Sequence, residues 1–311
     1  MYETTTVSAE VVNQAFINKI ESGMVKEAEE AASAYIRNRL YEQGVLRRLW
    51  EPQTLTADQL DPTENDDDKP SIVVEREPDG RSATFVPFKG TGNRHYFYGR
   101  RFRVPMGKIE AERVTKSKFE LLNIRMSIMD WLKENQVKAV QHEEDSLFME
   151  TCEDIVTQAG PSQSVDASAL PDFKLQVVAG LKAMNSLMLP VGKMVMHRNT
   201  FMDSLALKTD TIGYAPQEKR FNEGVEGEDS FLGYPVVTTL KSDIVRYNEI
   251  WLFPPQEFFA KFYMLQDATL FLKQEADMIS FHTYEAPGFG IGNTKGVVKV
   301  TLNDSTAADG S

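Results

Sequence analysis

Four histidines (His95, His142, His197 and His282) and one cysteine, Cys152, are all the imidazole and thiol groups of the chain. The histidines stand far apart and none falls in an HxxxH or HExxH spacing, so no histidine metal centre is expected. A single cysteine excludes an internal disulfide and a zinc site of several thiolates, and it suits a reducing compartment. Cys152 lies on an apolar stripe with Leu147, Phe148, Ile155 and Val156 and is read as a small buried hydrophobe. His197, beside Arg198 and near Asp203, has the residue types for acid–base work, but no serine or cysteine stands in a nucleophile elbow. It is read as a surface or half-buried histidine. Gly288-Phe289-Gly290-Ile291-Gly292 has the wrong spacing for a dinucleotide loop, with no helix after it and no acidic residue closing a βαβ unit. Gly90-Thr91-Gly92 lacks the GK[ST] ending of a phosphate loop and reads as a turn. No catalytic, cofactor-binding or metal-binding residue is assigned, and an enzyme is the least favoured class.

Charge is more informative than any motif. The 311 residues include 34 Lys and Arg against 46 Asp and Glu, a net charge of −12, which argues against a surface that coats nucleic acid throughout. The charge is polarised along the chain. Asp58, Asp61, Glu64, Asp66, Asp67, Asp68, Glu75, Glu77 and Asp79 face only Lys69 and Arg76, a local net of −7. The next interval, Arg81 to Arg125, carries eleven bases against three acids, a local net of +8. Segments of opposite sign pair within one molecule or between copies. Tyr96, Phe97, Tyr98 and Phe102 interleave with Arg94, Arg100, Arg101 and Arg103, so a nucleic-acid-binding reading of Arg94 to Arg103 stands beside the pairing reading.

At 41% hydrophobic and 26% charged the chain can bury a sizeable core, as about two domains or one large unit. No apolar stretch reaches the roughly 20 residues that span a bilayer. The opening residues lack a cationic segment followed by an apolar core, so retention in the compartment of synthesis is expected.

Apolar residues at three- and four-residue steps predict helix over 9–43, punctuated by Gly23 and Gly44. From Val45 to Pro70 the pattern fades into what reads as an arm or linker, with three prolines and the acidic run. Residues 71 to 104 are strand-like, with an Asp79-Gly80 hairpin signal and a glycine-rich turn at 89–93. They predict a long charged ribbon, marginal alone, that needs something to lie on. Glu110 to Gln136 reads as an amphipathic helix with Leu121, Ile124, Ile128, Trp131 and Leu132 as its core stripe, and a second helix runs through Leu147 to Val156. Leu170 to Leu189 is another helix. Lys193 onward reads as a strand followed by a short helix capped by Asn199-Thr200. Phe231 to Leu240 reads as a strand that is short or at an edge because of its proline. Glu249–Phe253 and Asp267–Phe271 read as strands, Ser280 to Val300 as two strands around Ala286-Pro287-Gly288, and the tail as loose.

This order of elements resembles the major capsid protein of tailed phages with the Hong Kong 97-type fold. The likeness rests on the strand Val195-Met196-His197-Arg198-Asn199 before the short helix Thr200 to Leu207, on the Leu-Gly-Tyr-Pro-Val-Val segment at Leu232 to Val237, and on closing strands like Ala276 to Glu285 and Gly296 to Leu302. The resemblance implies an α+β fold with an N-terminal arm (1–70), an extended β-hairpin loop (71–109), a peripheral domain with a long spine helix (110–167), an axial domain (168–275), a return to the peripheral domain (276–305) and a flexible tail (306–311). It implies a non-enzymatic shell subunit, assembled in the host bacterial cytoplasm into hexamers and pentamers of an icosahedral virion head around double-stranded DNA. Partners would be further copies of the chain, DNA bound without sequence specificity, and scaffold, portal or decoration proteins, with no membrane and no cofactor. Candidate inter-subunit contacts are Arg94, Arg100, Arg101 and Arg103 with Asp66, Asp67 and Asp68. An encapsulin-like bacterial compartment shell is the alternative within the same fold.

Overall fold

A computed structural model describes residues 9–22, 24–61, 70–76, 85, 86, 88, 90, 100–123, 128–203 and 230–303. The chain opens with helices α1 (Ala9–Glu21), α2 (Val25–Gln43) and α3 (Val45–Leu49), followed by the short strand β1 (Gln53–Thr54). Strands β2 (Ser71–Arg76), β3 (Arg100–Pro105), β4 (Ile109–Glu110) and β5 (Val114–Ser117) precede helices α4 (Lys118–Asn123), α5 (Ile128–Leu132) and α6 (Lys138–Ala159). Then come β6 (Ser164–Asp166), α7 (Phe173–Ser186), β7 (Lys193–His197), α8 (Arg198–Asp203), β8 (Ser230–Phe231), β9 (Tyr234–Thr239) and β10 (Glu249–Phe253). The last elements are α9 (Gln256–Phe259), β11 (Ala260–Glu275), β12 (Met278–Ile291) and β13 (Val298–Thr301).

Two sheets carry the body. The first runs β1-β11-β12-β4, with β5 also paired to β12, and is dominated by the long β11/β12 hairpin. The hairpin turns at Ala276, which sits in the left-handed region at φ 54. The second runs β6-β13-β10-β7-β9-β8. Every residue of its central strand β10 is buried, as a strand covered on both faces requires. Helix α7 packs on this sheet through Val177 and Met184. β2 and β3 form a separate two-stranded ribbon.

Several elements depart from expectation for identifiable reasons. The helix expected from Glu110 begins only at Lys118, because β-branched Val114 and Thr115 pair as a strand with Phe281 and Ser280. A π-helical stretch, Lys133–Val137, joins α5 to α6, so the chain stays helical from Ile128 to Ala159 instead of breaking in two. Asn13 bridges the ends that flank 124–127: its amide donates to the Leu121 carbonyl at 3.3 Å and its oxygen accepts from the Ile128 N–H at 2.8 Å. α7 starts at Phe173, since Pro171 disfavours helical backbone at Leu170. β12 passes straight through Ala286-Pro287-Gly288, where no turn forms, and Pro287 sits beside an irregularity in the β11 register. The sheets also cut across the divisions expected at 275 and 305: β11 and β12 share the first sheet, while β13 joins the second.

The largest departure is at the N-terminus. The segment expected to be an arm packs on the body: Phe16, Ile17 and Ile20 of α1 and Ala28, Ala32 and Ile36 of α2 join Leu121, Leu270 and Phe281 in one core. α2 also covers the free edge of β11, where Ser33 Oγ accepts the Leu270 N–H at 2.9 Å and a Glu29 oxygen accepts the Leu272 N–H at 2.8 Å. A helix laid along a sheet edge blocks pairing with stray strands.

Candidate assembly interface

The ribbon alternates. Along β3, Val104 is buried and Phe102 half-buried, while Arg101 and Arg103 point to solvent. The inward residues lie on the glycines of β12. A methyl group added at Gly290 would stand 2.4 Å from Val104, one at Gly288 2.4 Å from the Met106 sulfur, and one at Gly292 3.3 Å from the Phe102 ring. Residues 102, 104 and 106 thus seat, in step with the strand period of two, on residues 292, 290 and 288. The Gly-Phe-Gly-Ile-Gly run, which resembles a nucleotide loop only superficially, is a strand whose bare face lets a second backbone come close. Leu55, Val74 and Tyr263 complete this small core.

Beyond the seat the ribbon exposes apolar groups. Phe85 and Phe88 are 99% and 112% exposed, and Val86 38%. A groove of about 1100 Å³ opens beside the seat, walled by Val74, Phe102, Phe258, Phe259 and Gly292. Its rim carries Asn293, whose side-chain amide donates to the Phe258 carbonyl at 3.0 Å.

A second arrangement holds the N-terminal segment. Helix α3 is buried through Val45, Leu46, Leu49 and Trp50, and the Trp50 ring meets Phe148 edge-on at 5.4 Å and Phe253 at 5.6 Å. Arg47 is completely enclosed. It reaches Glu144 of α6 at 3.0 Å, Asp267 of β11 at 3.1 Å and Glu285 of β12 at 2.6 Å. Both ends of α3 are held by charge: the Leu46 N–H donates to Asp145 at 3.0 Å, and Lys193 donates to the Arg48 carbonyl at 2.7 Å. Those signs complement the helix dipole. Burial pulls the Arg47 guanidinium down, but the three carboxylates outweigh it and hold it above its usual value. Burial drives the Glu144 and Glu285 carboxyls well above the carboxylate range, and Arg47 offsets this only in part. Asp145 is raised by burial as well.

The residues singled out from sequence divide unequally. Leu121, Ile128 and Leu132 are buried and Trp131 is half-buried against Phe281 at 5.2 Å. Ile124, Arg94 and Asp66, Asp67 and Asp68 lie outside the described residues, as does the Asp79-Gly80 turn. Arg100, Arg101 and Arg103 stand on β3, with Arg100 and Arg101 opposite Arg76 and Glu75. Arg103 meets Asp61 at 3.6 Å, so one pair between the basic and acidic segments forms within the chain. Cys152 is fully buried, which pushes its thiol well above its usual value and leaves it inert. His197 is not at the surface: it is 2% exposed, edge-on to Tyr247 at 4.2 Å. Its Nδ1 accepts the Asn199 N–H at 3.0 Å and caps α8, the role expected of Asn199-Thr200. Sequence reasoning missed Arg47. The signal was present in Val45, Leu46, Leu49 and Trp50 at helical spacing around it, in a stretch otherwise read as linker.

No protein-family model matches the chain, and no curated protein matches it in sequence. Solved structures do. The virus-like particle of Pyrococcus furiosus aligns over 88% of this chain and 99% of its own, with TM-score 0.51 and 13% identity. The fold is that of the Hong Kong 97-type capsid proteins. A chain of Mycobacterium phage Ogopogo aligns over 84% of this chain and 92% of its own, with TM-score 0.54 and 10% identity. The mature capsid of bacteriophage PhiM1 aligns over 81% and 86%, with TM-score 0.52 and 7% identity. The strands β2 and β3 lie within the interval 71–109, and the helix that ends at Ala159 lies within 110–167.

Proposed function

We propose that the chain is the major shell subunit of a tailed-phage head, a structural and non-enzymatic protein. Copies would form hexamers and pentamers and close into an icosahedral shell around double-stranded DNA, in the cytoplasm of a bacterial host. The capsid fold supports a shell role. The observation that carries self-association is the ribbon: it is anchored at its base on the glycine face of β12, and Phe85 and Phe88 stand exposed with no cover among the described residues. Apolar groups in such a position mark a surface made for a partner, and repeated contact between two unlike patches of one chain generates a ring when the rotation between copies closes. The net charge of −12 suits a container whose contents are packed without adhering to the wall.

The nucleic-acid reading of Arg94 to Arg103 loses one of its platforms, because Phe102 is turned onto Gly292 instead of standing free to stack on a base. Electron microscopy of the purified full-length protein tests the proposal. Closed shells are the expected outcome; a field of dispersed single subunits at high concentration, with or without DNA, would overturn it.

A further inference from the structure

Between α6 and β12 four enclosed side-chain atoms have no hydrogen-bond partner: Gln136 Oε1, Gln141 Nε2, Thr283 Oγ1 and Glu285 Oε1. Their residues are 1%, 3%, 0% and 0% exposed, so bulk solvent does not meet the need. Gln136 belongs to the π-helical stretch that leads into α6, Gln141 to α6 itself, and Thr283 and Glu285 to the buried face of β12. Among the described residues the other two such atoms, His197 Nε2 and Trp251 Nε1, lie on the second sheet. Buried polar groups are nearly always satisfied, so a concentration of four in one place calls for a physical account.

Neighbouring bonds set the four along a single seam. The Gln136 amide donates to the Glu112 carbonyl at 2.9 Å and the Ala111 N–H to the Thr283 carbonyl at 2.9 Å, so Gln136 and Thr283 share one end. The bond to Glu112 also fixes the Gln136 amide, since turning it over would set oxygen against oxygen. At the other end Glu144 and Glu285 both hold Arg47, at 3.0 Å and 2.6 Å, which ties α6 to β12. Gln141 lies between, one helical turn before Glu144 on the same face. Thr283 and Glu285 stand two residues apart on one face of a strand, about 6.6 Å along it. A small molecule bonded to both at about 2.8 Å bridges most of that gap.

We propose that the seam is an internal water site: a short chain of ordered water between α6 and β12, bonded to Gln136, Gln141, Thr283 and Glu285. Water suits the set because it both gives and takes. Gln136 Oε1 and Glu285 Oε1 need donors, Gln141 Nε2 needs an acceptor, and the Thr283 hydroxyl serves in either role. A metal cation suits it less, since one member is a donor and the Arg47 guanidinium already sits on the other oxygen of Glu285. A dry seam would leave four enclosed polar groups unmet, each costly to bury, and cavities that stay empty are lined by apolar groups. The site is a property of the folded subunit and does not depend on what a shell would contain.

A high-resolution density map of the full-length protein tests this directly. Water peaks are expected about 2.7–3.2 Å from Thr283 Oγ1 and Glu285 Oε1. A seam without them, whether closed by the chain's own side chains or holding a metal ion, would overturn the proposal. Thr283→Val, close to threonine in shape, reads the site a second time. It should erase the peak beside position 283 and lower the folded-to-unfolded ratio about fivefold, because the remaining water loses a partner. If Thr283 were buried dry, the same change would remove an unmet group and leave the ratio equal or higher, which would overturn the proposal. Should Thr283→Val not fold, Gln141→Met, which removes the amide from the α6 side, is read in the same way.

Discussion

The N-terminal segment, expected as an arm, and the β-ribbon, expected as a charged hairpin marginal on its own, are both expected to project, and the structure separates them. α1 to α3 bury Phe16, Ile17, Ile20, Ile36, Leu46 and Trp50 in the body and anchor there through Arg47. Among the described residues the ribbon buries its base at Val74 and Val104 and leaves Phe85, Phe88, Arg101 and Arg103 exposed. The difference lies in periodicity. A helix collects its apolar residues on one stripe, so even an acidic sequence such as VKEAEEAASAYI presents Ala28, Ala32 and Ile36 together. A ribbon strand alternates, and one face has to stay outside unless another chain covers it. The first segment completes its own subunit, and the second is the part proposed to meet neighbouring copies.

Mutations can pull the two regions apart. Deleting residues 1–50 removes Val45, Leu46, Leu49 and Trp50, each worth about 1.5–3 kcal/mol of burial, and strips Glu144 and Glu285 of their cation. The subunit should then fail to fold. Soluble truncated protein with a native circular dichroism spectrum would mean that the segment is an arm after all. Arg47→Met isolates the ionic part: leaving buried carboxylates unpaired costs about 3–5 kcal/mol, read as a lower denaturant midpoint, and a loss under about 1 kcal/mol would show that the cluster relaxes freely. Gly290→Val probes the ribbon seat, where a branched side chain meets Val104. Overpacking there should cost about 1–3 kcal/mol and disturb particle yield along with it, and unaltered stability would show that the seat has room to give. Changing Arg100, Arg101 and Arg103 together to glutamate should cost the subunit least, under about 1 kcal/mol, since the Arg103–Asp61 pair is partly exposed. Particle formation should nonetheless stop, and normal particles from that triple variant would remove the ribbon arginines from the interface.

Much of the architecture was legible because long-period signals survive local noise. The stripe through Leu121, Ile128 and Leu132 marked the buried face of α4 and α5, and the order of ribbon, helix and closing strands pointed to the fold. Three things were hidden, each for a physical reason. Arg47 is masked by its own charge, since a buried guanidinium looks like a surface one until Glu144, Asp267 and Glu285 arrive from 97 to 238 residues away. The glycines of β12 carry no side chain to signal a partner, and the residues that need them, Phe102, Val104 and Met106, lie far upstream. His197 looked like a surface or half-buried histidine because nothing in the sequence shows Tyr247 covering it.

The claim that the ribbon belongs to neighbouring copies is tested most directly by the molar mass of the purified full-length protein, measured by light scattering across a concentration series. Large closed assemblies, many multiples of the 35.1 kDa chain, are the predicted result. A mass fixed at 35.1 kDa throughout the series would contradict it.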